Sequence, residues 1–231
     1  MTSADVTPIR PGHEFDVDRL AHYLASHLEG VSGALTARQF RGGQSNPTFL
    51  VETGDRRFVL RKKPPGQLLP SAHMIEREYR VMHALRESNV PMIGTHLLCE
   101  DASVIGTPFY LMDFAEGRIF RNPSLPGLAP NERRDVYAAM SEVMARLHMV
   151  DWRAVGLENF GKAAGYLGRQ ISLWTRQYEA AKTHAIPAMD ELIGWLPAHM
   201  PADDTTTIAH GDFRLENLMY HPTEPQRDRR A

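Results

Sequence analysis

The sequence predicts an α+β protein with two lobes, a small one built on an antiparallel sheet and a larger, mainly helical one. Three observations predict it. Short apolar and β-branched runs, separated by turn residues, crowd the stretch up to Phe114. One amphipathic pattern of helical period interrupts them between Ser71 and Glu87. After Phe114 a proline-rich connector leads into repeated helical periodicity.

Bulk composition bounds this reading. The chain of 231 residues is long enough for one large domain or two small lobes with cores of their own. Apolar residues make up 42% and charged residues 23%, the balance of an ordinary globular protein rather than a disordered one. A net charge of -2 gives no bulk attraction for nucleic acid or an anionic membrane, so neither is expected as a partner. No run approaches the roughly 18 apolar residues of a membrane span, and no apolar stretch resembling a signal peptide occurs near the start. The lone cysteine, Cys99, cannot form an internal disulfide and reads as a small core residue. A cytoplasmic location fits these features.

Along the chain, residues 1–14 are polar, carry Pro8, Pro11 and Gly12, and are expected to be disordered. The small lobe is expected over 15–114. A helix from Asp16 to Glu29 places Val17, Leu20, Leu24 and Leu28 on one face. Ala34 to Phe40 reads as a strand, and Arg41 to Pro47 as a loop. Thr48–Thr53 and Phe58–Leu60 flank Gly54-Asp55 and read as a hairpin ended by Pro64-Pro65-Gly66. The helix between Ser71 and Glu87 buries Ile75, Tyr79, Met82 and Leu85. Leu97–Glu100 and Phe109–Phe114 complete the strands. In the helical lobe, expected over 115–220, Glu132–Met149 has the clearest pattern, with Pro130 where a helix start tolerates it. Further helices are expected over Tyr166–Lys182, with Ile171, Trp174 and Tyr178 inward, and over Pro187–Leu196. Trp152, Trp174 and Trp195 are read as core aromatics and His148 as a packing residue. The charged tail 221–231 is expected to be disordered.

The chemistry concentrates in Ile208-Ala209-His210-Gly211-Asp212-Phe213-Arg214-Leu215-Glu216-Asn217-Leu218-Met219-Tyr220. Apolar residues on both sides fit a tight loop between two short strands. Phosphoryl transfer needs a carboxylate to accept the hydroxyl proton and oxygen ligands for Mg²⁺. Asp212 and Asn217 can supply one of each from a single loop, and Arg214 could stabilise charge on a transferring phosphate. As a bare His-Gly-Asp the motif would be an ordinary polar turn. The asparagine five places on and the apolar flanks make it more specific.

This segment resembles the catalytic loop of the aminoglycoside phosphotransferase and choline kinase families. It is also similar to the H-R-D-L-x-x-x-N loop of protein kinases, with Gly211 where those have arginine. Within that superfamily the chain is similar to phosphotransferase domains related to the N-terminal part of certain acyl-CoA dehydrogenase family members. Val59 to Gly66, Gly117-Arg118-Ile119-Phe120, Leu147-His148, Val150-Asp151-Trp152, Gly156-Leu157 and His210 to Asn217 carry this likeness. The resemblance implies a protein-kinase-like two-lobe fold and transfer of the γ-phosphate of ATP or GTP, with Mg²⁺, to a small-molecule alcohol. A non-catalytic nucleotide-binding or scaffolding module is the alternative.

The resemblance also assigns further residues. Gly42, Gly43, Ser45 and Asn46 would lie over the nucleotide phosphates, where small residues let backbone N–H groups approach. Arg61 would contact the phosphates in place of the usual lysine, paired with Glu78, while alternation along the strand turns Lys62 to the other face. Glu76 is expected to be solvated. Met112 and Phe114 would belong to the hinge beside the nucleotide base.

Kinases of this type place a second metal-binding aspartate roughly 15 to 20 residues after the loop. After Tyr220 the sequence offers no apolar strand, and Asp228 is not assigned that role. The expectation is therefore a C-terminally truncated member with an incomplete helical lobe and impaired turnover, its apolar surface near Leu215–Tyr220 uncovered.

Overall fold

The computed structural model describes residues 5–41, 46–64, 74–202 and 205–223. By contacts the chain separates into two compact units, one of residues 1–149 and 209–231 and the other of residues 150–208.

The first unit is organised by a six-stranded, wholly antiparallel sheet in the order β1-β2-β3-β4-β6-β5. Its strands are β1 (Val6–Thr7), β2 (Leu35–Phe40), β3 (Thr48–Thr53), β4 (Arg56–Lys62), β5 (Thr95–Cys99) and β6 (Phe109–Asp113). The Gly54-Asp55 turn closes the β3–β4 hairpin, with Gly54 at φ 58°, a left-handed conformation that glycine adopts at little cost.

Side chains alternate across a strand, so each face has its own core. Phe49, Val51, Phe58, Leu60, Phe109 and Leu111 pack with Leu20 and Leu24 of α1 (Val17–His27). Leu50, Val59, Tyr110 and Met112 pack on the opposite face with Ile75, the first residue of α2 (Ile75–Leu85). Two helices thus cover the sheet, one on each face. Asp16 begins α1 as its N-cap, accepting from the Arg19 N–H at 2.9 Å.

Residues in the stretch 5–14, expected to be disordered, make specific contacts with the sheet. β1 pairs with β2, and Arg10 donates to the Phe40 and Arg41 carbonyls at 2.9 and 2.8 Å. Phe15 meets Phe49 edge-on, with ring centroids 5.1 Å apart. Those contacts join residues about thirty positions apart, which local composition does not encode.

The same unit contains α3 (Pro130–His148). It starts at Pro130, with Glu132 reaching back to accept the Ala129 N–H at 2.7 Å. Val136 is fully buried against Leu125, Leu215 and Tyr220. Leu215 and Tyr220 are therefore covered, contrary to the expectation of an uncovered apolar surface there. His148 is exposed rather than packed.

The second unit holds α4 (Tyr166–Ala181) and α5 (Pro187–Ala198). Trp152 is anchored by its indole N–H, which donates to the Thr206 carbonyl at 3.1 Å. Trp174 and Trp195 are 63% and 51% exposed, so neither is a core residue. Helical spacing fixes which residues share a stripe, but not what the stripe meets. Among the described residues no helix is long and apolar enough to cross a membrane.

Lys62 lies on the α1 face, buried, with its ammonium 5.1 Å from the Phe15 ring centroid and 5.7 Å from that of Phe49. Burial pulls its pKa below the ordinary 10.5, while the Glu14 charge pulls weakly the other way. Folding thus penalises the charged form. The penalty is complete below the folded pKa and fades as pH rises toward 10.5. Lys62→Met is expected to raise the thermal midpoint near neutral pH, and this advantage should shrink as the pH is raised toward the ordinary lysine range. A gap independent of pH would show that Lys62 titrates alike in the folded and unfolded chain.

Candidate functional site

Two clusters, both in the first unit, hold the residues singled out by the sequence. The first is built across the sheet. β4 and β6 pair with Arg61 directly opposite Tyr110 and Lys62 opposite Phe109. Cross-strand partners share a face, so Arg61 and Tyr110 point toward α2 while Lys62 points toward α1. Glu78, in the first turn of α2, receives both. Its Oε2 lies 2.8 Å from Arg61 Nε and accepts the Tyr110 hydroxyl at 3.2 Å, and its Oε1 accepts the Asn46 amide at 2.8 Å.

The Arg61 contact is an ion pair by distance, but the Nε–H is not aligned with the carboxylate, so that buried donor lacks a directed hydrogen bond. Burial, with the Glu78 charge second, lifts the Tyr110 phenol above the ordinary tyrosine range. Tyr110 therefore remains a protonated donor. Asn46 is itself buried, and the Thr48 hydroxyl donates to its carbonyl at 3.1 Å. Gly42, Gly43 and Ser45 lie outside the described residues.

Glu76, expected in solvent, instead pairs with Lys63 at 2.5 Å, with about a quarter of each side chain exposed. Met112 is buried in the α2-side core. β6 lies between β4 and β5, so the hinge region leaves an interior strand. The Asp113 N–H donates to the Gly94 carbonyl at 2.8 Å, and its carboxylate meets His96 at 2.7 Å. Phe114 lies under the Arg57 guanidinium, 4.5 Å from the ring centroid.

The second cluster is the turn after residue 208. Gly211 has φ 81°, in the left-handed region where a side chain is disfavoured, although nothing lies within 4 Å of an added Cβ. That turn brings Asp212 and Asn217 together. The Asn217 amide donates to the Asp212 carboxylate at 2.8 Å and to the Asp212 carbonyl at 2.9 Å. Arg214 Nε lies 3.2 Å from Asp212 and 2.9 Å from Glu216. These are exposed pairs, which orient side chains more than they stabilise the fold.

Instead of two flanking strands, the loop has a single 3₁₀ turn, Leu215–Asn217, and one bridge from Tyr220 to Arg118. A strand forms only where a neighbour completes its ladder, and Tyr220 finds one residue. Leu215 and Leu218, packed on the α3 side of the unit, anchor the turn. Burial raises the Tyr220 phenol to about 12, with the Tyr137 charge second.

An amide has a donor end and an acceptor end. With the Asn217 donor end held by Asp212, its Oδ1 is the end left for a cation. Among the described residues no group of three His, Cys, Asp or Glu side chains is placed to hold a metal. Magnesium in nucleotide sites takes one or two side-chain oxygens and fills its shell with water and phosphate. Asn217 Oδ1 offers one such side-chain oxygen.

The antiparallel sheet, its α2 partner and the Asp212–Asn217 turn define a kinase-like phosphotransferase. The chain belongs to the phosphotransferase enzyme family, whose model matches residues 36–227. It is 50% identical over 220 residues to acyl-CoA dehydrogenase family member 10 of Mus musculus, covering 95% of this chain and 21% of that protein. It is 46% identical over 226 residues to acyl-CoA dehydrogenase family member 11 of Homo sapiens, covering 96% and 29%. The chain thus spans less than a third of the length of these relatives. A crystal structure of a candidate aminoglycoside phosphotransferase from Ralstonia eutropha matches with a TM-score of 0.82 and 47% identity, over 92% of this chain and 63% of that one. The GDP complex of aminoglycoside 2′-phosphotransferase-IIIa shares the fold, with a TM-score of 0.58 and 16% identity over 92% and 70% of the two chains.

Tyr110 was missed from the sequence because it reads as one more apolar strand residue. Its phenol was the available signal: a tyrosine buried in a central strand needs a partner for its hydroxyl. Because the backbone alone requires glycine at 211, Gly211→Ala is expected to cost about 1 kcal/mol of stability. Gly211→Asn should cost less, since asparagine tolerates the left-handed region better. Chemical denaturation of both variants checks this, and equal losses would place the cost in packing instead.

Proposed function

We propose that this chain transfers the γ-phosphate of ATP or GTP to a hydroxyl of a small molecule. The observation that carries the reading is the Asp212–Asn217 pair, joined side chain to side chain at 2.8 Å on a turn that Gly211 makes. Family membership and the ordered Arg61–Glu78 pair in the same unit support it.

In this reading Asp212 accepts the proton of the acceptor hydroxyl and aims its oxygen at the γ-phosphorus. The new P–O bond forms as the bond to the β–γ bridging oxygen breaks, and the nucleoside diphosphate leaves. Asn217 Oδ1 would hold Mg²⁺, which when bound neutralises phosphate charge. Arg61, tethered by Glu78, would orient the phosphates. Met112 and Phe114 would border the base, and Gly42, Gly43, Ser45 and Asn46 would form the loop over the phosphates. Arg214 would move from its present partners, Asp212 and Glu216, to the transferring group. An exposed pair of this kind costs little to exchange.

Asp212→Asn is the direct test. It is expected to lower phosphate transfer from Mg·ATP or Mg·GTP to a panel of hydroxylated metabolites by about 10²- to 10⁴-fold, while the thermal shift produced by Mg·nucleotide persists. Unchanged turnover would remove Asp212 from its role. If the wild-type chain is stabilised by Mg·nucleotide but transfers no phosphate, the non-catalytic nucleotide-binding module replaces this reading. Chelation with EDTA is expected to abolish most of the nucleotide-dependent shift, and Asn217→Ala to reproduce that loss with magnesium present.

A further inference from the structure

The Arg61–Glu78 pair differs from the usual arginine–carboxylate arrangement. Such pairs commonly form two parallel N–H···O bonds. Here Arg61 approaches side-on through Nε, at 2.8 Å and out of alignment. The reason lies with the carboxylate. Oε1 accepts from the Asn46 amide at 2.8 Å and Oε2 from the Tyr110 hydroxyl at 3.2 Å, so each oxygen keeps a lone pair but the carboxylate plane is held in a rotation that does not face the guanidinium fork.

Tyr110 is well placed to impose this. It is 2% exposed, packed in the α2-side core, and directly opposite Arg61 in the β4–β6 register. Its ring also lies near that of Tyr79 on α2, with centroids 6.0 Å apart. The hydroxyl is thus fixed from both the strand and the helix.

We propose that Tyr110 is a positioning residue for nucleotide binding: by holding Glu78 Oε2 it prevents a two-point clasp on Arg61 and leaves the outer N–H edge of the guanidinium for phosphate oxygens. The proposal rests on the reading that Arg61 orients the phosphates. Arg61 is neutralised by a nearby charge, yet its terminal N–H donors are not consumed by it. Without the Tyr110 hydroxyl, Glu78 rotates and takes those donors for itself.

The test is Tyr110→Phe in the full chain, which keeps the ring and removes only the hydroxyl. Mg·ATP binding is expected to weaken about tenfold, with kcat at saturating nucleotide nearly unchanged and the unfolding midpoint of the free protein lowered only by the loss of one hydrogen bond. A purely structural role would move the midpoint and leave the balance of KM and kcat alone, and that result overturns the proposal. Wild-type nucleotide affinity in Tyr110→Phe overturns it as well. Arg61→Ala separates the two ideas. If Arg61→Ala binds Mg·ATP as the wild type does, the phosphate role of Arg61 is wrong. The crystal structure of nucleotide-free Tyr110→Phe decides the Tyr110 proposal independently of any binding assay. Two parallel Arg61–Glu78 contacts support it, and an unchanged side-on approach refutes it.

Discussion

The carboxylate of Glu78 is the constraint on which the sheet-side cluster depends. It gathers Asn46 from the segment before β3, Arg61 from β4 and Tyr110 from β6. A buried or half-buried carboxylate that lost these partners would pay a desolvation cost with nothing to offset it. The three contacts therefore fix the height and rotation of α2 against the sheet. The register is equally constrained. A one-residue slip between β4 and β6 would exchange Arg61 with Lys62 across the faces, putting a guanidinium under α1 and an ammonium under α2. The two hydrophobic faces of the strands oppose that slip, because Leu60 and Leu111 belong to one core and Val59 and Met112 to the other.

The second cluster depends on a different kind of constraint. Its polar residues are exposed and hold each other: Asn217 on Asp212, Arg214 between Asp212 and Glu216. What places them is apolar. Leu215 is buried beside Val136 and Tyr220, and Gly211 supplies the backbone conformation that returns the chain. The candidate catalytic residues sit on a solvent-facing turn whose position is set from beneath. This division suits a site that must exchange its polar partners when a ligand arrives.

Family membership and this geometry reinforce one another at different resolutions. The family match and the 0.82 TM-score with a structure 47% identical establish the kinase-like phosphotransferase class. The acceptor chemistry is a separate matter. The chain spans 21% of the mouse relative and 63% of the Ralstonia chain, so neither protein's name transfers as a whole. The exposed tryptophans of α4 and α5 show how little a periodic stripe says about its neighbours.

The sequence by itself determined the elements and the local motif. Apolar and β-branched runs between turn residues placed β2 to β6, alternation along β4 put Lys62 opposite in sense to Arg61, and helical periodicity placed α1 to α4, because these periods belong to the backbone itself. Asp212 and Asn217 were legible for the same reason: they are near neighbours in sequence, and glycine between histidine and aspartate signals the turn. Tertiary structure alone decided what required distant partners. Tyr110 and Asn46 each lie 32 residues from Glu78, so no local pattern could reveal that they share its carboxylate. The contacts of Arg10 with β2, the Lys63–Glu76 pair and the exposure of Trp174 and Trp195 belong to the same class. Each depends on which surface a residue meets after packing, and composition records the tendency to be buried but not the surface that does the burying.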